Sequence, residues 1–271
     1  MIKRLVFSFT ITLLITFIVT FAMFFEVGKF QPTAYRNDVN NRWTDWSSAL
    51  VVRQKSNADI SKQLEMLQAF SSIDLSNSLQ SDAQKKAFWI NCYNALVQYS
   101  LSKDAYLYEN KSAFYSLPLL KLKDIQLSLD DIEHGILRRS QLKYGFGYFT
   151  NPFSSSIEEL LRIELRDPRI HFALNCGAKS CPPIRIYHPQ KIEEELNKNS
   201  AEFLKKMSQH DNKNNILKTS ALFKWFRGDF GSKAGILKLY HHYDILEVSK
   251  NPSLRYIEYD WTLTLHQYVE D

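Results

Sequence analysis

The chain has 271 residues, 14% of them aromatic, with eight glycines, eight prolines and a formal charge of +5. That composition excludes a disordered or low-complexity chain and suits a well-packed globule. The positive surplus is mild: Lys3, Arg4, Glu26 and Lys29 contribute +2, leaving +3 spread over the rest without a basic run, so nucleic acid is not an expected partner.

Lys3 and Arg4 precede Leu5 to Phe25, a run of 21 residues without a charge. As a helix that run is about 31 Å long, enough to cross a hydrocarbon core. No small-residue cleavage site follows it at Ala22-Met23-Phe24-Phe25-Glu26, so a signal anchor is expected rather than a removed leader. The early cations favour a cytoplasmic N-terminus and a globular part outside the cytoplasm, in a bacterial periplasm by preference. Ser8, Thr12, Thr16 and Thr20 recur every fourth residue and offer one side of the anchor for self-association. The expected division is residues 1–29 as anchor, 30–58 as tether and leading helix, and 59–271 as one globular extracytoplasmic domain.

Trp43 to Val52 and Ile60 to Phe70 have helical apolar spacing. Ser81-Asp82-Ala83-Gln84 is a capping box opening a helix to about Ser102. That helix is apolar nearly all round and therefore buried, yet it carries Asn91, Asn94 and Gln98 in one narrow stripe. The amides need partners: either the polar side of a neighbouring strand at His171 or loop backbone. After an irregular stretch, Ser128-Leu129-Asp130-Asp131 caps a second helix. Glu133 lies in its apolar stripe, with His134 and Arg138 on the adjacent side, so its carboxyl must be paired or have its proton affinity raised. Arg169 is a structural candidate for that pairing and His171 a functional one.

Ser156 to Leu165 reads as a short helix leading into Ile170 to Cys176, an apolar run with the length of a buried strand. Alternation would put Ile170, Phe172, Leu174 and Cys176 on one face, and His171, Ala173 and Asn175 on the other. Pro189 starts a helix to about Gln209, Thr219-Ser220 caps another, Gly231 to Tyr240 is a third, and Tyr256 to Leu263 alternates as a strand. Asp260 on that strand is a further acidic candidate. Helices dominate and the few strands are not in βαβ order, so the class is α+β: a helix-rich single domain with a small sheet.

Cys176 and Cys181 have four residues between them, Gly177 the first, and an oxidising compartment favours a disulfide between them. Cys92 is then a lone apolar thiol. C-x4-C without a second paired motif argues against a metal site, and no cofactor is called for.

Four stretches occur in one order: Phe88-Trp89-Ile90-Asn91-Cys92-Tyr93-Asn94-Ala95, Ile132-Glu133-His134-Gly135-Ile136-Leu137-Arg138, the run from Asp167 to Pro183, and Tyr259-Asp260-Trp261. Together they resemble the family numbered 547 among domains of unknown function, over roughly residues 60 to 263. That resemblance implies a class without a reaction or a ligand. The pairing of a buried helix with a histidine strand is also loosely similar to papain and transglutaminase folds. Those place a nucleophilic cysteine at the helix start, whereas this helix has Asn91 in its body and Cys92 on an apolar side. Two functions follow. The favoured one is a binding or assembly module whose His, Asn and Glu cluster is a satisfied polar core. The other is a Cys-His hydrolase or acyl transferase, with His171 as base, Cys181 or Cys176 as nucleophile, and Asn91 or Glu133 orienting the imidazole.

Overall fold

The computed structural model describes residues 41–270. The expected anchor at residues 5–25 lies outside them; among the described residues no helix is long and apolar enough to cross a membrane.

Helix α4 (Asp82–Lys103) is the axis of the domain. Ser81 Oγ accepts from Gln84 N at 3.2 Å and Gln84 Oε1 from Ser81 N at 3.3 Å, closing the expected capping box. Asp82 in the first turn and Lys103 in the last match the helix dipole. Every residue from Lys85 to Gln98 is buried, as an all-round apolar surface requires. Before it come α1 (Arg42–Lys55), α2 (Ser61–Leu67) and α3 (Ser72–Ser78), and α1 packs along α4.

The stretch left irregular by its sequence holds a 3-10 helix (Ala105–Asn110), α5 (Lys111–Tyr115) and a short antiparallel pair, β1 (Leu120–Lys121) and β2 (Gln126–Leu127). The helix expected after Ser128 is wound as a π-helix, Asp131–Leu137, with Arg138 N donating to Glu133 O at 2.8 Å. Its start is capped as expected, with Ser128 Oγ and Asp131 bonded reciprocally. Next come α6 (Ser156–Leu161), 3-10 turns at Pro168–Phe172 and Pro189–Lys191, and α7 (Ile192–Lys206), whose three leading glutamates and two closing lysines again suit the dipole.

The remaining sheet has β3 (Gln209–Asp211) antiparallel to β4 (Ile216–Thr219), and β4 parallel to β5 (Ser253–Tyr256). Helices α8 (Leu222–Trp225) and α9 (Ser232–His242) make the crossover between the parallel pair. One βαβ-like connection is therefore present where none was expected. The α+β, helix-rich class holds. The strand expected over Tyr256 to Leu263 begins and ends earlier, and beyond Tyr256 the described residues make two isolated bridges, Ala178 to Leu263 and Ile184 to Tyr268.

Apolar side chains gather into two cores. One surrounds α4 and includes Trp43, Leu50, Phe88, Trp89, Ile170 and Leu174. The other is built from Phe172, Phe203, Phe223, Phe230 and Tyr240, with Cys181 at its edge. The segment from Pro168 to Cys181 contributes to both.

Candidate functional site

Asp167 accepts from Arg169 N at 3.1 Å, and Pro168 occupies the first turn, so the apolar run starts as a 3-10 helix instead of the expected strand. Alternation consequently fails. His171 faces a cavity, while Asn175 turns inward, donating to Pro182 O at 2.8 Å and accepting from Gly177 N at 3.0 Å. The helix–strand pairing behind the papain-like expectation is absent from the described residues.

The α4 amides hold backbone. Asn94 accepts from Asn175 N at 2.8 Å and donates to Ala173 O at 2.9 Å, clamping the segment that carries Cys176. Asn91 makes the same two-bond grip on Tyr187, at 2.8 and 3.0 Å, so it does not orient His171 as expected. Asn199 from α7 donates to Phe172 O. Gly177 needs its φ of 90°, and a Cβ there would sit 2.9 Å from Leu101 Cδ1.

All three cysteines are free. The expected bridge is not formed; instead Cys176 N donates to Cys181 Sγ at 3.1 Å. Tyr259 Oη lies 3.5 Å from Cys176 Sγ and 3.2 Å from Cys181 Sγ, and Tyr115 donates to Cys176 O at 2.8 Å. The sulfurs differ in character. Hydrogen bonding from Cys181, helped by Tyr259 and opposed by burial, lowers the Cys176 thiol below its ordinary range. Burial, and then Cys176 itself, pushes Cys181 well above it. Cys92 is also pushed up, by burial, as befits an inert core thiol.

Cys176 opens onto a cavity of about 360 Å³, whose walls also carry Glu133, His134, His171, Tyr93 and Trp225. Behind the wall runs a chain of charges. His171 Nε2 lies 2.8 Å from Asp229 Oδ2, and Arg138 Nε donates to the same oxygen at 2.7 Å. Arg138 Nη1 is 2.8 Å from His134 Nδ1, and the His134 Nε2 atom stands 3.6 Å from Asp130. Burial lowers His171, outweighing Asp229, so its neutral ring donates Nε2–H to the carboxylate and keeps Nδ1 as an acceptor. Burial and then Arg138 push His134 well below its usual value. Burial would raise Asp229, but Arg138 and His171 outweigh it and hold the carboxyl low. Glu133 goes the other way: burial, only partly offset by Arg138, raises it to about 7. Its Oε2 accepts from Tyr93 at 3.2 Å. A π-helix at this position matches the frequent use of such windings at functional sites.

Two expected site residues belong elsewhere. Arg169 does not pair with Glu133. It forks onto Asp167 at 2.6 Å and Glu193 at 2.7 Å, beside Lys86 at 2.9 Å from Asp167. Asp260 is a half-exposed surface group 3.2 Å from Lys179, although its neighbours Tyr259 and Trp261 both line the cavity. Sequence reasoning missed Asp229, which sits between Gly228 and Phe230 in a loop without periodicity. An acid flanked by glycine and phenylalanine was the available signal. Among the described residues no group of three or more His, Cys, Asp or Glu side chains is arranged to hold a metal ion.

Residues 77–204 match the family described as "Protein of unknown function, DUF547", the one that the four ordered motifs resemble. No curated protein and no solved structure matches the chain.

Proposed function

We propose that the DUF547 segment carries a thiol-dependent acyl-transfer or hydrolytic activity, with Cys176 as nucleophile and Glu133 as general acid–base. One observation carries this: Cys176 and Glu133 line the same cavity, where hydrogen bonding favours the Cys176 thiolate and burial raises the Glu133 carboxyl. In the proposed cycle the Cys176 thiolate attacks an acyl carbonyl, and protonated Glu133 gives its proton to the leaving group. A thioester remains. Glu133, now a carboxylate, takes a proton from water or an acceptor alcohol as it attacks, and the thiolate is released. His171 is a neutral hydrogen-bonding wall fixed by Asp229; among the described residues no hydrogen bond joins it to either sulfur. A binding or assembly module leaves the asymmetry of the two thiols without a role.

A second reading has its own support in the contact between the two cysteines, with Cys176 N donating to Cys181 Sγ at 3.1 Å and Tyr259 Oη near both sulfurs. Cys176 attacks an external disulfide, releasing one thiol and forming a mixed disulfide; Cys181 then attacks the Cys176 sulfur, releasing the second thiol and closing the bridge expected from the sequence. The uncharged run at residues 5–25 behind Lys3 and Arg4 supports a domain held outside the cytoplasm by an anchor, and the hydroxyl stripe of that run supports self-association. A reporter fused after Asp271 that works only in the cytoplasm would refute that topology if it were active.

Iodoacetamide labelling of the full chain against pH tests the thiol reading. Cys176 should label fastest, with a midpoint below the ~8.5 of a free cysteine, and Cys176→Ser should abolish both labelling and turnover of activated esters. Labelling no faster than free cysteine at pH 7 would sink it. Cys181→Ser separates the two chemistries: ester turnover survives acyl transfer, and disulfide turnover is lost.

A further inference from the structure

Residues 142–153, Leu-Lys-Tyr-Gly-Phe-Gly-Tyr-Phe-Thr-Asn-Pro-Phe, contain one cation and no acid. Five large apolar side chains of this one loop stand in the open: Leu142 at 41%, Tyr144 at 78%, Phe146 at 56%, Phe149 at 43% and Phe153 at 89% exposure. A folded domain rarely leaves such a group together without a partner. The loop is nevertheless firmly built. Gln141 and Thr150 bridge its ends, and Leu142 N donates to Phe149 O at 2.9 Å. Gly228 N donates to Phe146 O at 2.7 Å, and Gly147, at φ 80°, packs so closely that a Cβ would lie 2.5 Å from Asp229 N. Its exposed aromatics are thus held in place against the carboxylate that holds His171. Tyr144 and Phe146 also form part of the cavity wall, as does Trp261, so patch and cavity are continuous.

From this we infer that the loop docks on a phospholipid bilayer and that the cavity opens towards lipid. The argument for that occupant comes from the rest of the chain. The uncharged run at residues 5–25 precedes the described domain, which begins at residue 41. The 15 intervening residues reach about 50 Å when extended, enough for this face of the domain to lie against the membrane that the run would enter. Tyrosine and phenylalanine suit the interfacial zone, and the loop brings no carboxylate of its own to it, its one cation, Lys143, being paired with Asp130 at 2.6 Å. A substrate class follows, which rests on the thiol reading above: an acyl ester or thioester of an amphiphile, entering from the bilayer past Tyr144, Phe146 and Trp261.

Photo-crosslinking decides the docking. The full chain is reconstituted in nanodiscs of phosphatidylcholine and phosphatidylglycerol carrying a diazirine acyl chain, and adducts are mapped by peptide mass. Adducts are expected in both 5–25 and 142–153. Those in 142–153 should fall at least fivefold in Tyr144→Ser/Phe153→Ser, and stay unchanged in Cys176→Ser. Adducts confined to 5–25, or crosslinks from 142–153 to protein instead of lipid, overturn the proposal. If the double variant melts lower than the parent, Phe153→Ser alone serves in its place. Turnover then tests the substrate class: acyl thioesters held in vesicles should be consumed at least tenfold faster than water-soluble short-chain ones. Turnover of the soluble compounds alone would overturn the lipid substrate and leave the thiol chemistry standing. Turnover of neither would overturn the thiol reading, with the adduct map still deciding the docking.

Discussion

Two buried clusters of charge flank the 3-10 turn at Pro168–Phe172, and they are built on opposite terms. Lys86, Asp167, Arg169 and Glu193 form a closed set, each cation meeting both acids at 2.6–3.1 Å, with Asn197 taking a further Arg169 N–H. On the cavity side, Arg138, Asp229, His171, His134 and Glu133 are less complete. Arg138 Nη2 is buried without a hydrogen bond, Asp229 Oδ1 meets Arg166 Nη1 only at 3.8 Å, and Glu133 is driven towards neutrality by its surroundings. A structural cluster neutralises itself; a working site holds groups away from their comfortable protonation state. The two respond to perturbation in opposite directions.

The largest effect is expected from Asp167→Ala, which strands Lys86 and Arg169 with one acid between them. Breaking a buried pair costs about 3–5 kcal/mol, so urea unfolding of the variant should shift by that much. Burial opposes ionisation of Asp167, but Lys86 and Arg169 hold its carboxyl below the usual carboxylate range. Its contribution is therefore complete above that range and lost as pH falls.

Glu133→Gln should do the reverse. The carboxyl is raised from 4.5 to about 7, so parent stability declines as pH rises between those values, by roughly 3 kcal/mol in all. The glutamine variant should lose that decline and be the more stable protein at pH 8, while ester turnover collapses. Equal stability of parent and variant across the range would erase the contrast between the clusters.

Gly147→Ala forces a Cβ to within 2.6 Å of Asp229 Oδ1 on a backbone at φ 80°. Strain of that kind costs about 1–3 kcal/mol. It should also free His171 from Asp229, visible as a moved imidazole resonance. Smallest is Tyr259→Phe, which removes a hydroxyl from both sulfurs and should cost about 1 kcal/mol. Its sharper reading is the labelling midpoint of Cys176, which should move up.

Much of the frame was legible in the residues. Ser81 with Gln84 and Ser128 with Asp131 mark helix starts by a chemistry that needs no tertiary context, and the all-round apolar surface of α4 announces a central helix. Glu133 was conspicuous because a carboxyl in an apolar stripe has few alternatives. Ile170 to Cys176 misled because a short buried apolar run has the same composition in a strand or a turn, and only the Asp167-Pro168 start argued for the turn. Tyr259 and Trp261 both line the cavity, although the strand expected over Tyr256 to Leu263 ends at Tyr256. Asp229 was hidden because its role depends on Arg138 and His171, which lie 91 and 58 residues away.

The grip of Asn94 on the Cys176 segment has a consequence for motion. The amide hydrogen of Asn175 belongs to no helix or strand, yet it is held at 2.8 Å by a side chain fully buried on α4. Its solvent exchange should therefore keep pace with the slowest amides of that helix, at rates set by opening of the whole core, and not with the fast exchange of a surface loop. Cys176 then has no private melting transition: the backbone that carries it comes loose only when the centre of the protein does.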